Sequence, residues 1–275
     1  MTYLTGYQTL ITQLSQRLDV PGIRQILLPE INQSDDIKDN FGFVILEDGS
    51  AGPFYTCFGN TLEWLHHHHT AFSGEAATSV AARLDGVDIP LSSLALGSFN
   101  ALSQNIMTKA GFDPTTIEKR SDTDFTAKHI GMVGFFRPLI ERYLNQGKRV
   151  TVIEKQPERV PDDLDLDLHT SPEGLATCDY ILCTASTLIN NTLESIIQGA
   201  GDPAKINLIG PSASGLPDLL FDLGIHSTGG FFVDDLEALT QAVSQGESWG
   251  NAGRKYQLTQ STYPGLDSLL EMINQ

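Results

Sequence analysis

The sequence has little that could grip a phosphate backbone. Seventeen lysines and arginines stand against 34 aspartates and glutamates in 275 residues, for a net charge of −17. No basic cluster exceeds two adjacent residues, so nucleic acid is not an expected partner, since phosphate binding needs a basic face. An acidic, evenly charged surface reads as solubility. Cysteine is scarce: Cys57, Cys178 and Cys183 form no C-x-x-C pair, and their odd number argues against a disulfide framework. No apolar run approaches the roughly 18 residues needed to span a bilayer. Met1-Thr-Tyr-Leu lacks the basic-then-apolar order of a signal peptide. The expectation is a cytoplasmic protein without membrane contact. What is present is a hydrophobic fraction of 40%, enough for one large or two modest cores.

Two rhythms divide the chain. In residues 1–124, Leu4, Tyr7, Leu10, Ile11, Leu14 and Leu18 recur at steps of three and four, which predicts a helix ending before Pro21. Residues 31–40 read as a polar loop. Phe41 to Leu46 and Pro53 to Phe58 read as strands around the turn Glu47-Asp-Gly-Ser. Helices are expected over 61–72, 75–84 and 91–107, and residues 111–124 look like an exposed linker. The order is that of a small α+β domain. In residues 125–275, short apolar strands at 130–133, 150–153, 180–183, 206–209 and 231–233 alternate with helices at 137–145, 192–198, 216–223 and 235–244. One more short helix is expected after Pro264. That alternation predicts a Rossmann-like doubly wound parallel α/β sheet.

In such a sheet the ligand crevice lies beyond the carboxyl ends of the strands. The segments found there are Gly134-Phe135-Phe136-Arg, Glu154-Lys, the stretch from Thr184 through Ser186 and Asn190 to Thr192, Gly210-Pro211-Ser212, and Gly229-Gly230. Four of the five are rich in residues whose backbone approaches a ligand or whose side chains hydrogen-bond one, although helix starts favour serine, threonine and asparagine in any case. Glu154, roughly twenty residues beyond Gly134, stands where a ribose-binding carboxylate belongs; the plainer alternative is a solvated strand end pairing with Lys155 or Arg149. Phe135 and Phe136 occupy positions that a dinucleotide fingerprint leaves to glycine, so a ligand without a diphosphate fits that turn better.

The run His66 to His69 is a metal candidate, but on a helix only His66 and His69 share a face. A solvated helix turn is the plainer alternative. Asp163-Leu-Asp-Leu-Asp167 fails as a calcium loop because Leu168 stands where glycine is required, and a surface strand or loop is expected. Cys178 and Cys183, five apart near one strand, are expected in the core on opposite faces. Ser212 and Ser214 lack the G-x-S-x-G context of a nucleophile elbow, and no catalytic acid/base pair can be assigned.

Gly131-Met-Val-Gly-Phe-Phe-Arg-Pro, Glu154 with Pro157-Glu, Asp179 to Leu193, Gly210-Pro-Ser and Gly229-Gly together resemble the C-terminal domain of the putative heavy-metal chelation family. Upstream, Leu96-Gly-Ser-Phe-Asn-Ala-Leu resembles the Gly-x-x-x-Asn-Ala segment of the domain that accompanies it. The resemblance implies an enolase N-terminal-like domain followed by a Rossmann-like domain, with a site in the cleft between them and Asn100 facing Asn190 and Ser212. Two departures stand out: Ala185 and Asn191 occupy positions where glycine is common.

The expected function is to bind a small organic, metal-chelating or cofactor-like ligand in that cleft, with a role in chelation or in making a chelating compound. Gly134, Phe135, Glu154, Thr184, Ser186, Asn190, Gly210, Pro211, Ser212 and Gly230 would line one side and Asn100 the other. The candidate bound groups are a heavy-metal ion or a nucleoside-, pterin- or flavin-like compound. The alternatives are direct metal binding by His66 and His69, and an NAD-dependent oxidoreductase. A homodimer is the default assembly.

Overall fold

The computed structural model describes residues 2–31, 40–118, 126–202 and 204–274. The expected loop at 31–40 and the end of the expected linker therefore fall largely outside the described residues. Helix α1 (Tyr3–Arg17) starts at Thr2, whose hydroxyl accepts from the Thr5 N–H, and buries Tyr3, Tyr7, Leu10, Ile11 and Leu14 as the spacing requires. Strands β1 (Ile23–Leu27), β2 (Phe41–Leu46) and β3 (Ala51–Tyr55) form an antiparallel sheet in that order, with the expected turn joining β2 to β3. Strand β1 has no counterpart among the predicted elements.

Helix α2 (Thr61–His68) runs into a tighter turn at His69–Phe72. Helix α3 (Ala77–Ala81) is shorter than the pattern predicts, because Ala76 is extended and bridges Gly22. Helix α4 (Ile89–Lys109) is capped by the Asp88 carboxylate, which accepts from the Leu91 N–H, and has Pro90 in its first turn. An antiparallel meander followed by helices is the α+β order expected of this half.

Every residue of α4 from Ser92 to Met107 is buried. Two glycines allow that. A Cβ on Gly52 of β3 would lie 2.1 Å from the Ala101 nitrogen and 2.1 Å from the Gly97 carbonyl oxygen, so helix backbone rests directly on strand backbone. A Cβ on Gly97 would lie 2.4 Å from the Phe54 ring.

The second half holds β4 (His129–Val133), α5 (Arg137–Asn145), β5 (Arg149–Ile153), β6 (Asp167–His169), β7 (Tyr180–Thr184), α6 (Leu193–Gly199), β8 (Lys205–Ile209), α7 (Asp218–Asp222), β9 (Ser227–Val233), α8 (Leu236–Ser244), β10 (Gly253–Thr259) and α9 (Leu266–Ile273). The sheet order is β10-β9-β8-β7-β4-β5-β6, parallel throughout except for β10, which pairs antiparallel with β9. Counted from β4, this is the 3-2-1-4-5-6 order of the Rossmann fold with an antiparallel seventh strand, and its switch point lies between β4 and β7. Strand β6 takes up only the end of the acidic stretch, and β10 was not predicted. Both are edge strands, β6 with half-exposed Asp167 and exposed His169 and β10 with exposed Arg254 and Lys255, and such residues blur an apolar pattern.

Ile140 and Tyr143 of α5 join Ile130, Met132, Val150 and Val152 in the apolar cluster on one face of the sheet. Leu193 and Ile196 of α6 pack with Ile181, Cys183, Ile206 and Leu208 on the other. The latter cluster continues into Tyr3, Tyr7, Leu96 and Leu102, and a further one joins Phe43 and Ile45 to Phe231, Val233 and Leu239. Cys178 and Cys183 share a cluster instead of facing opposite ways. Cys178 precedes β7, so strand alternation does not govern it, and its sulfur would lie 3.1 Å from a Cβ on Gly131, beside Ile181. No helix among the described residues is long and apolar enough to cross a membrane.

At the start of β4 the Asp179 carboxylate accepts from the backbone N–H groups of Lys128 (2.8 Å) and His129 (3.0 Å). These bonds hold its pKa below the ordinary carboxylate value. A depressed folded-state pKa adds stability above the unfolded value of about 3.9, which disappears as pH falls through the folded one. Asp179→Asn is therefore expected to lower the urea midpoint at neutral pH, with a gap from wild type that narrows on acidification towards pH ~3. Gly52→Ala is expected to lose about 3 kcal/mol in the same measurement, because backbone on both sides cannot yield.

Candidate functional site

Loops from the carboxyl ends of β4, β5, β7 and β8 meet at the switch point. Gly134 follows β4 with φ +89° and donates its N–H to the Ile153 carbonyl at 2.9 Å. A Cβ there would lie 3.3 Å from the Phe136 ring and 3.4 Å from the Thr184 methyl. Phe136 and Thr184 therefore flank the turn. Thr184 and Ser186 share a hydroxyl contact of 2.9 Å, and the Ser186 N–H donates to Thr184 Oγ1 at 3.3 Å. Glu154 is half-buried, and its Oε1 accepts from the Gln156 N–H at 3.1 Å. Arg149 pairs with Asp167 instead.

Asn190 accepts from the Thr192 hydroxyl at 2.6 Å, and so organises its own loop. Asn191 has φ +52°, the single positive φ on a non-glycine residue among the described residues. It explains why glycine suits that position, and asparagine is among the few other residues that tolerate it. Gly86, itself at φ +72°, packs against the Asn191 side chain, where a Cβ would lie 2.5 Å away. Gly230 sits inside β9 under the Tyr256 ring, 2.4 Å from where its Cβ would be, which is a packing role.

Gly210 (φ +109°) turns the chain from β8 into Pro211–Ala213, and this segment meets α4. The Asn100 amide is wholly buried; its Nδ2 donates to the carbonyl oxygens of Pro53 (2.8 Å) and Ser212 (3.0 Å). Both of its N–H bonds are thus spent, which fixes the orientation of the amide, and Oδ1 is left with no hydrogen-bond partner. Ser212 Oγ, also buried, has none either. Close by, the Ser103 hydroxyl accepts from the Leu216 N–H at 3.0 Å, and the Gln104 amide exchanges two bonds with Val233.

Asn100 and Ser212 line a small pocket between the two halves. Its other walls include Tyr3, Tyr7, Phe99, Leu188 and Leu216, and among the described residues no charged side chain lines it. The space takes roughly one water molecule. Gly215 keeps it open, since a Cβ there would lie 3.1 Å from Asn100 Oδ1 and 2.4 Å from the Phe99 ring. Burial pushes the pKa of both Tyr3 and Tyr7 upward, so their hydroxyls stay neutral. The Tyr3–Tyr7 pair is visible in the sequence only as part of an apolar helix face, and nothing there marks it as a wall of a site. Of the residues singled out from sequence, Asn100 and Ser212 line the pocket, while Gly134, Phe135, Glu154, Thr184 and Ser186 belong to the neighbouring switch-point loops.

The donor set for a metal is thin. Among the described residues no group of three or more His, Cys, Asp or Glu side chains could hold a metal ion. His66 and His69 have ring centroids 6.4 Å apart, and with His66 Nε2 bonded to the Pro29 carbonyl and His69 Nδ1 to the Leu65 carbonyl the pair offers at most one ring nitrogen each. His68 stacks on Trp64 at 4.4 Å. Burial raises the Cys178 thiol to about 11 and the Cys183 thiol to about 12, which keeps both protonated at neutral pH. These residues do not fit a resident metal centre.

Comparison with known proteins locates the chain. A crystal structure of a protein of unknown function from the DUF364 family of Desulfitobacterium hafniense superposes with a TM-score of 0.69 at 18% identity, covering 94% of this chain and 100% of that one. Another from the same family, of Pyrococcus horikoshii, gives 0.68 at 18% identity over 93% and 99%. At that identity the likeness shows the fold. An uncharacterized protein of Methanocaldococcus jannaschii is 26% identical over 176 residues, covering 62% of this chain and 67% of that protein. The model of family DUF364, described as putative heavy-metal chelation, matches residues 121–261, just over half of the chain, and the chain belongs to that family.

Proposed function

We propose that this protein holds a small organic ligand at the junction of its two halves, with Asn100 Oδ1 and Ser212 Oγ as the polar contacts. The observation that carries this reading is a pair of unpartnered polar atoms on two residues that line one pocket. A buried polar group without a hydrogen bond costs on the order of 1–3 kcal/mol. Two such atoms on residues that line one space support a site that receives a hydrogen-bonding partner. The family description points to chelation. With no metal-holding cluster among the described residues, the chelating chemistry would reside in the organic ligand that the protein binds or modifies. No observation favours His66 and His69 as a metal centre, and Phe135 and Phe136 in place of the fingerprint glycines speak against a dinucleotide oxidoreductase.

Ser212→Ala tests the proposal because it removes a hydroxyl that makes no bond in the folded chain. The ligand-free variant is expected to be as stable as wild type, or up to about 1 kcal/mol more stable. It should also retain less of any small molecule that mass spectrometry finds released from untagged wild-type protein on denaturation. A variant that loses more than about 1 kcal/mol while retaining the same co-purified molecule would show that the hydroxyl serves the fold.

A further inference from the structure

We infer that the two halves of this chain are one cooperative unit, in which helix α4 stands in for a missing neighbour of strand β9, so that the junction opens only when the whole chain unfolds. The inference is independent of what the pocket holds. Strands β8 and β9 pair over two residues, Asn207 with Ser227 and Leu208 with Thr228, while β9 runs on to Val233 and pairs with β10 along its whole length. Beyond Thr228, among the described residues, no strand pairs with the other edge of β9.

Side chains take the place of that strand. Alternate residues of an antiparallel strand turn their backbone groups to opposite edges, and Phe231 and Val233 turn theirs away from β10. The Phe231 N–H donates to Ser214 Oγ at 2.9 Å. The Val233 N–H donates to Gln104 Oε1 at 3.1 Å, and Gln104 Nε2 donates to the Val233 carbonyl at 2.9 Å. A glutamine amide carries the donor and the acceptor of a peptide group, so one residue of α4 pairs with β9 as a strand residue would. Gln104, Ser214, Phe231 and Val233 are all buried, where an unpaired backbone group is strongly destabilising.

Apolar contacts cross the same boundary. Phe43, Ile45 and Ala51 share a cluster with Phe231, Val233 and Leu239. The Trp249 ring meets those of Phe41, Phe43 and Phe231 edge-on, at centroid distances of 5.7, 5.1 and 5.0 Å. In a second cluster Tyr7, Phe99 and Leu102 pack with Leu188, Leu216 and Leu220. Helix α1 is also tied to the first half, since Gln8 Nε2 donates to the carbonyls of Ala82 (2.9 Å) and Leu84 (3.1 Å). Partial opening needs a boundary with few buried apolar contacts, whereas this one is crossed by two clusters and by the buried bonds of Asn100, Ser103 and Gln104. Residues 121–261, the part that the family model matches, leave the inner edge of β9 unpaired without α4.

The two tryptophans of the chain test this. Trp64 packs within the first half, and Trp249 sits at the junction. Full-length Trp64→Phe and Trp249→Phe are unfolded in urea and followed by tryptophan emission and far-UV circular dichroism, and the two probes are expected to give one midpoint in each variant. In wild type, hydrogen exchange read by mass spectrometry is expected to give rates within about tenfold of one another for peptides over 43–46, 129–133 and 229–233, all set by global unfolding. Gln104→Met keeps the length of the side chain and removes its amide. It should lower the urea midpoint without splitting the transition and raise all three exchange rates by the same factor. An emission curve displaced from the dichroism curve, a second transition, or exchange at 43–46 or 229–233 more than about tenfold faster than at 129–133 overturns the inference. An unshifted midpoint in Gln104→Met overturns the role of α4. Should that variant fail to fold, wild type and the tryptophan variants still decide.

Discussion

Asn100, Ser103 and Gln104 project from one stretch of a helix that is buried on nearly every side, and each makes at least one hydrogen bond across the junction with the second half of the chain. A helix so enclosed would ordinarily be apolar all round. Here the polar residues are tolerated because each meets a backbone group that no strand or helix satisfies: the Ser212 carbonyl, the Leu216 N–H, and both backbone groups of Val233. The two halves are thereby fixed in register, and the segment after β8 is held against α4. Asn100 Oδ1 and Ser212 Oγ are left without a partner at this junction.

Close backbone approach makes the stitching possible. Glycine at 52 lets α4 rest on β3, and glycine at 97 leaves room for the Phe54 ring. Glycine at 215 leaves space in front of Asn100. A side chain at the first would push α4 off the sheet, and one at the last would fill the site. Conformational need accounts for other positions in the loops: Gly134 and Gly210 take positive φ where strands end, and Asn191 does so in the loop that leads to α6.

The architecture also explains why the dinucleotide-like beginning of the second half misleads. The strand order and switch point are those of a nucleotide-binding sheet, yet Phe135 and Phe136 stand where the fingerprint has glycine, and the Phe136 ring packs beside the Gly134 turn. The orphaned polar atoms lie further along, beneath the segment after β8, where the first half covers the ends of the strands. Glu154 remains beside the switch point, engaged with its own loop.

Much of this was legible from residue patterns. Alternation of short apolar strands with helices fixed the α/β class, because burial on both faces of a parallel sheet demands continuous apolar runs. Capping and helical spacing placed α1, α4, α5 and α8 to within a few residues. Edge strands β6 and β10 escaped because charge at an edge breaks that pattern, and β1 because five residues carry too few repeats to declare a period. Ser212 entered through its place at the end of a strand, but Asn100 only through resemblance to a family, since an asparagine on an apolar helix carries no sign of what it will face. Which atoms were left without a partner, that Tyr3 and Tyr7 would wall the same space, and that His66 and His69 would spend ring nitrogens on backbone carbonyls were decided by tertiary structure alone. Hydrogen-bond satisfaction is settled between residues distant in the chain, and local sequence has no term for it.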